Sequence, residues 1–402
     1  MTDRAPAAAP VRAYPFPRPS ATEVPPVYEE LTQSAPVCPA RFPSGDEGYV
    51  VSRHEDVRTV LGDPRFSRAA TVAPGAPRLT TVAFEQGGLF TMDPPEHTRL
   101  RSLVAREFTP RRVAALTPRI AELTDGLLDA MARHGGPVDV LEALAQPLPV
   151  AVICELLGVP PADRADFRDW SEAVLSITAL DRAEALARRA ALLEYLGSLI
   201  AAKRAEPGDD LLSALVAARD ERGRLSEREL LTMVLTLLVA GYETTASVLG
   251  TAVFTLLRHP GALAALRSSP EQLSAAVEEL LRINPIGDGG PLRVTLEDVE
   301  LAGCPIPAGS AVIAAVCAAN RDPARFPDPA AYRPDRHDGT HLAFGHGPHF
   351  CLGAPLARTE LRIALGALAA RFPGLRLAVP EDRVRMRSGL MLNRLEALPV
   401  TW

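Results

Sequence analysis

Apolar residues recur at helical spacing through much of the first half of the chain. Segments Pro110–Ala132, Asp163–Ser176, Arg182–Ala205 and Asp209–Arg222 show this pattern, which predicts amphipathic helices. Breaks fall at His134-Gly135-Gly136-Pro137, Val159-Pro160-Pro161 and Glu206-Pro207-Gly208. From Leu230 to Leu257 the polarity nearly disappears, and Glu243 is the single charge. That stretch is long enough to cross a bilayer. A lone acid at mid-span is costly in lipid, however. Ser226 with Glu227 and Glu229 forms a capping signal, and His259-Pro260 ends the run. The expectation is a helix buried on all sides, about 42 Å long at 1.5 Å per residue. Two further helical stretches follow, Pro260–Ser268 and Pro270–Ile283. The character then changes. Leu292–Val316 alternates and is interrupted by Ala302-Gly303 and Pro307-Ala308-Gly309, which predicts short strands. Asn320–His341 is proline-rich and aperiodic, a last helix is predicted from Ala354 to Phe372, and the tail from Leu375 reads as short strands.

Helices first and strands later would suit two domains. The long apolar helix argues for one core, so the fold class expected is mainly α: a single α-rich domain over residues 1–402 with small β-sheets. Residues 1–25, rich in proline and alanine, are expected to be a flexible N-terminal segment.

Composition narrows the function classes. With 47% hydrophobic residues among 402, the chain can bury a large core, which excludes disorder. A formal net charge of -6 argues against a broad nucleic-acid surface. Lys203 is the sole lysine among 43 basic residues, and proline stands at 38; both biases suit a genome with GC-rich codons. The five cysteines (Cys38, Cys154, Cys304, Cys317, Cys351) are scattered and odd in number, which speaks against a disulfide framework and for a reducing, cytoplasmic location. Met1–Ser20 has no apolar run, so neither a signal peptide nor a membrane anchor is expected there.

The densest chemistry lies in Phe344-Gly345-His346-Gly347-Pro348-His349-Phe350-Cys351-Leu352-Gly353. The glycines permit tight turns and close approach of a flat ligand. Cys351 stands just before a predicted helix start, whose free N–H groups and partial positive charge favour a thiolate. Three readings fit these residues: a structural buried cysteine, a zinc site built with His341, His346 and His349, or a thiolate holding haem iron.

The pattern Phe-Gly-x-Gly-x-His-x-Cys-x-Gly resembles the haem-binding loop of the cytochrome P-450 family at every position. The resemblance runs from about Tyr49 to Trp402 and is strongest to soluble bacterial members that tailor secondary metabolites, macrolide oxidases in particular. It implies a mostly helical domain with small sheets and a long central helix over non-covalent haem b. Cys351 would be the axial metal ligand, with Phe344, His349 and Gly353 around the cofactor.

Other motifs are consistent with this. Glu279 and Arg282 are three apart and share a helix face. The family pairs them and adds a third arginine, matched here by Arg336 in Tyr332-Arg333-Pro334-Asp335-Arg336. In Asp93-Pro94-Pro95-Glu96-His97-Thr98-Arg99-Leu100-Arg101, His97 and Arg101 are four apart and point the same way. They form either a solvated helix face or a pair of donors for a carboxylate, which in the family is a haem propionate. Arg293 matches another propionate-binding arginine. Ala240-Gly241-Tyr242-Glu243-Thr244-Thr245 lies mid-way along the apolar helix, where a buried acid and two threonines are unfavourable as plain core. Ala240 and Gly241 leave room for a ligand, and a threonine hydroxyl can bend the helix. In the family this is an oxygen-binding groove, with Thr244 hydrogen-bonding dioxygen and Glu243 delivering protons.

The resemblance implies a monooxygenase (oxidoreductase) of antibiotic biosynthesis that hydroxylates or epoxidises a bulky natural product such as a macrolide. Electrons would come from a separate ferredoxin and ferredoxin reductase, with Arg111, Arg112 and Arg358 as docking candidates. An oxidase coupling radicals in an aromatic or cyclic-dipeptide substrate shares the same motifs. A haem sensor or carrier is the non-enzyme alternative, and Glu243-Thr244 argues against it. The family places substrate contacts on the Val72–Phe90 loop, around Leu175–Arg188, on the long helix, and around 286–291 and 390–392. Candidates are Phe90, Val234, Val239, Ile286, Asp288, Leu390 and Met391. Asp288 would meet a substrate amine or sit as a solvated turn residue. Gly287, Gly289 and Gly290 suggest a roomy site.

Overall fold

The apolar run folds as one 32-residue helix, Glu227–Arg258, in a computed structural model that describes residues 10–19, 23–79, 87–176, 179–220, 224–337 and 340–402. Its start is a full capping box. Ser226 N–H donates to Glu229 Oε2 at 2.7 Å, and Glu229 N–H donates to Ser226 Oγ at 3.2 Å. The helix is long and apolar enough to span a membrane, yet 78% of its most apolar window is buried inside the protein. It packs against Pro147–Leu157, Arg182–Ala205, Pro270–Ile283 and Ala354–Arg371, which together build the main core.

The helices predicted at Arg182–Ala205 and Pro270–Ile283 are observed with those bounds, and Pro110–His134 and Ala354–Arg371 differ by a residue or two. The Pro260–Ser268 stretch shortens to Ala262–Ala265. Leu141–Leu157, a π-helical turn running into an α-helix, carried no clear signal because Pro147 and Pro149 interrupt its pattern. Both prolines sit in the first turn, where a missing N–H costs little. The short helices Val27–Ser34 and His54–Gly62 were likewise silent in the sequence.

Among the described residues the largest sheet has six strands. In spatial order they are Arg12–Ala13, Val37–Arg41, Glu47–Val51, Ala311–Ala314, Leu292–Thr295 and Phe66–Ser67. The first two pair in parallel, as do Glu47–Val51 and Ala311–Ala314, and the other neighbours are antiparallel. Residues far apart in sequence thus meet here, and Arg293 is carried into the interior on a central strand.

The N-terminal expectation needs correction. Residues 1–9 and 20–22 lie outside the described residues, but 10–19 are packed. Arg12–Ala13 forms the sheet edge, and Tyr14 and Phe16 are buried with Tyr28 and Phe42. Aromatic burial, which a count of prolines and alanines does not register, outweighs the disorder-prone composition.

One buried acid carries a pH signature. Glu360, on the Ala354–Arg371 helix, is fully enclosed with Oε2 unpartnered, and burial pushes its carboxyl up to about 8 from 4.5. The folded state therefore holds a proton that the unfolded chain releases between those values. Glu360 contributes stability that is fully present below pH 4.5 and is lost as pH rises through 8. The expected slope reaches about 1.4 kcal/mol per pH unit. Urea unfolding at pH 5 and pH 8 should show a smaller pH loss for Glu360→Gln than for the parent chain; parallel losses would reject this.

Candidate active site

The Phe344–Gly353 loop is a tight turn between the aperiodic segment and the last helix. Gly345 and Gly347 have φ of 73° and 70°, a region glycine occupies without strain. At Gly347 a side chain would also stand 2.8 Å from Gly62 Cα and 2.9 Å from Leu61 O, so the loop lies directly on the His54–Gly62 helix. Cys351 N–H donates to Phe344 O at 2.8 Å, which closes the turn. The Cys351 thiol meets opposing influences. Burial pushes it up, while the N–H groups of Gly353 and Ala354 and the charges of Arg101 and Arg358 pull it down. Burial prevails in the protein alone, so the helix-end effect expected from sequence does not by itself make a thiolate. A bound metal cation would deprotonate it.

Three buried nitrogen-bearing side chains converge beside this loop. His97 Nδ1, His349 Nε2 and Arg293 Nη2 are buried and without a hydrogen-bond partner. The two imidazoles lie against each other with ring centroids 4.1 Å apart. Arg101 Nη2 donates to Phe350 O at 2.6 Å, holding the residue next to Cys351. His349 is driven down to about 2 by burial and by Arg293, His97, Arg68 and Arg101. Arg293 falls to about 9, mainly through burial and then through Arg68. Buried polar atoms left unsatisfied are costly, and the guanidiniums of Arg293, Arg68 and Arg101 gathered around these two imidazoles favour an anionic ligand. A carboxylate-bearing flat cofactor with a metal facing Cys351 meets that need. The residues present fit a haem with its propionates at His97, Arg293 and His349.

Sequence reasoning missed two supports. Arg68 is buried, with Nε to Phe90 O and Nη1 to Leu292 O, both at 2.6 Å, so it joins the loop before the Glu96–Val104 helix to the Arg293 strand. Asp93 accepts from Arg68 N–H at 2.8 Å and from Ala69 N–H at 3.2 Å, and is bonded to Ser67 Oγ. Arg68 stands alone in the sequence with no partner at helical spacing, so only the tertiary fold reveals it.

On the long helix, Thr236, Ala240, Gly241 and Thr244 are partly exposed while the residues around them are buried. Positions 236, 240 and 244 are four apart and share one face. Val234 and Val239, expected to line the pocket, are both buried; at about 100° per residue Val234 lies across the helix from Thr236, and Val239 lies beside it. Thr244 Oγ1 donates to Ala240 O at 2.8 Å. Glu243 is buried, and Arg394 Nη1 donates to its Oε2 at 3.4 Å. Arg394 also meets Glu172 Oε2 at 3.3 Å.

The other pocket candidates divide. Phe90 is about half exposed. Met391 N–H donates to Leu175 O at 2.9 Å, Leu390 bridges Ser176, and Asn393 N–H donates to Ile286 O at 2.9 Å, so these segments adjoin. Asp288 is neither a solvated turn residue nor an unpaired pocket acid: it is ion-paired with Arg18. The neighbouring glycines do not open the site either. A side chain at Gly289 would collide with Tyr14, and one at Gly290 with Ala314 O. Residues 80–86 of the Val72–Phe90 loop and 177–178 of the Leu175–Arg188 turn lie outside the described residues.

Behind the loop, Glu279 accepts from Arg282 Nε and Nη2, each at 2.7 Å, from Arg336 Nε at 3.1 Å and from Arg333 N–H at 2.8 Å. Arg282 in turn donates to the carbonyls of Asn320, Pro329 and Ala331 and so gathers the aperiodic segment. Arg358, a docking candidate, is instead held by Glu278 at 2.7 and 2.8 Å, with its guanidinium 4.5 Å over the Phe344 ring. The histidines of the zinc reading scatter: His341 faces Glu278, His346 contacts Arg58, and His349 lies on His97. Among the described residues no group of three His, Cys, Asp or Glu side chains stands ready for a metal ion.

Comparison with known proteins agrees with this geometry. Residues 180–393 match the family described as Cytochrome P450. The chain is 51% identical to nocardicin C N-oxygenase of Nocardia uniformis subsp. tsuyamanensis over 97% of its own length and 98% of that protein. It is 47% identical to mycinamicin IV hydroxylase/epoxidase of Micromonospora griseorubida, again over 97% and 98%. Among solved structures, a cytochrome P450 hydroxylase from the leinamycin biosynthetic pathway of Streptomyces atroolivaceus superposes with a TM-score of 0.90 at 49% identity, covering 98% of this chain and all of that one. A cysteine loop on a helix start, buried nitrogens without partners beside it and full-length similarity lead to one conclusion: the chain belongs to the cytochrome P450 family of haem-thiolate monooxygenases.

Proposed function

We propose that the protein hydroxylates or epoxidises a bulky, largely apolar natural product such as a macrolide, in the cytoplasm, with electrons from a ferredoxin and its reductase. The observation that carries this reading is the convergence of His97, His349 and Arg293, each with a buried nitrogen that has no hydrogen-bond partner, beside Cys351. His97, Arg293 and His349 would hold the propionates of haem b, and Cys351 would ligate its iron. Bound haem supplies dioxygen activation, and an anionic sulfur ligand favours O–O cleavage. The remaining tasks fall to the chain. Ala240 keeps the helix face low above the cofactor, whereas Gly241, expected to do the same, lets the helix approach Ile153, which a side chain there would meet at 2.8 Å. Thr244, fixed by its bond to Ala240 O, presents a hydroxyl on that face. Glu243, held by Arg394, is the nearest buried acid along the helix and serves as the proton reservoir. The substrate wall comes from Ile286, Leu390 and Met391, with Phe90 at the mouth. Arg111 and Arg112 are exposed at the start of the Pro110–His134 helix and offer charge to an acidic partner, although Arg112 also pairs with Glu107 at 3.0 Å. Five free cysteines suit a reducing compartment.

Mass spectrometry of product formed under ¹⁸O-labelled dioxygen tests the reaction class. One labelled oxygen per product is expected; a product without label would replace insertion by coupling. Thr244→Ala should keep haem binding and raise the share of reducing equivalents lost as hydrogen peroxide several-fold, read as peroxide per electron pair consumed. Unchanged coupling would remove Thr244 from the oxygen chemistry.

A further inference from the structure

Residues 285–291 join the Pro270–Ile283 helix to the strand that carries Arg293, and they are tied down on two sides. On one side, Asn393 N–H donates to Ile286 O at 2.9 Å and Asn393 Nδ2 to Pro285 O at 3.0 Å. Asn393 O in turn accepts from Ser247 Oγ on the long helix. On the other side stands the N-terminal segment. The Arg18 guanidinium is paired with the Asp288 carboxylate. Tyr28 Oη and Cys317 Sγ both donate to Asp288 O at 2.7 Å. The segment bearing Arg18 is itself fixed. Tyr14 packs edge-on against Phe16 at 5.5 Å and Phe42 at 6.0 Å, and Phe16 packs against Tyr28 at 5.2 Å. Gly289 lets Tyr14 approach the backbone more closely than any side chain would allow.

We propose that Arg18 is a positioning residue for the substrate pocket: its ion pair with Asp288 fastens the 285–291 segment to the N-terminal segment and thereby sets where Ile286 stands. This rests on the placement of Ile286 and Met391 in the pocket wall given above. The pair is largely enclosed, with side-chain exposures of 16% and 23%, so salt screens it little. Without Arg18, the Asp288 carboxylate is left enclosed and uncompensated, and it relaxes by moving toward water. That pull reaches Ile286 through two residues of backbone, against the Tyr28, Cys317 and Asn393 bonds that still hold the segment, and shifts the side chain without freeing the loop. Arg293 is held separately, on a central strand paired with Ala311–Ala314. The change therefore falls on the pocket wall and leaves the cofactor-facing donors in place.

The test titrates the purified holoenzyme with two azoles whose nitrogen ligates the haem iron, followed by the absorbance shift. Imidazole reads the iron alone, and 1-tritylimidazole also reads the walls. Arg18→Ala and Asp288→Asn should each weaken tritylimidazole about tenfold and change imidazole by less than about twofold. The charge swap Arg18→Asp with Asp288→Arg should restore most of the loss. Unchanged tritylimidazole affinity in both single variants, an equal loss for imidazole, or no rescue by the swap overturns the proposal. Should Arg18→Ala fail to accumulate as holoenzyme, the isosteric Asp288→Asn decides alone. Ile286→Ala separates the two layers. If it leaves tritylimidazole binding unchanged, the pocket placement is wrong and the proposal falls with it. If it weakens binding while Arg18→Ala does not, only the latch is wrong.

Discussion

Cys351→Ser should abolish the red-shifted Soret band that the reduced protein shows with carbon monoxide, and turnover with it. The loop geometry predicts this outcome without gross unfolding. Cys351 holds the turn through its backbone, donating N–H to Phe344 O at 2.8 Å, and serine keeps that bond. What serine lacks is a sulfur that a metal cation can hold as an anion in a half-enclosed site. The Gly353 and Ala354 N–H groups and the Arg101 and Arg358 charges favour an anion there but do not overcome burial unaided. A hydroxyl, far less acidic than a thiol, stays neutral in the same surroundings. The measurement is a carbon monoxide difference spectrum beside a far-UV circular dichroism spectrum. A variant that keeps the parent band would end the assignment of Cys351 as axial ligand.

Glu279→Ala should prevent stable holoenzyme from accumulating. The carboxylate receives four hydrogen bonds from Arg282, Arg333 and Arg336, and the side chains of Glu279 and Arg282 are almost wholly enclosed. Removing one member of a buried pair leaves an uncompensated charge and costs about 3–5 kcal/mol. That is a large part of a typical total stability of roughly 5–15 kcal/mol. Arg282 also gathers the carbonyls of Asn320, Pro329 and Ala331, so its misplacement releases the segment behind the cysteine loop. Glu279→Gln, which keeps the shape and loses the charge, should fall between the two. Haem content per protein and the urea midpoint check this. Parent-like values for Glu279→Ala would show that the cluster is dispensable.

Several elements were legible because their causes are local. The bounds of Arg182–Ala205 follow from a capping Asp181 and the break at Glu206-Pro207-Gly208. Those of Pro270–Ile283 follow from Ser269, whose hydroxyl accepts from Gln272 N–H, and from proline at the first helical position. The cysteine loop was legible because its glycines answer to backbone geometry, which residue type alone encodes. Pocket residues were less so. Asp288 looked eligible as a lone acid in a glycine-rich turn, but its partner Arg18 comes from the far end of the chain.

Sequence by itself determined the Arg182–Ala205 and Pro270–Ile283 helices, the long apolar helix with its capping box, and the loop that presents Cys351, since each depends on residues within a few positions of one another. Tertiary structure alone decided that Arg68 and Asp93 support the Arg293 strand, that Arg358 serves Glu278 and Phe344, and that Asp288 answers to Arg18 across 270 residues of chain. A buried charge takes its role from whatever partner the fold places within about 4 Å, and that distance is set by how sheets and helices pack rather than by spacing along the chain.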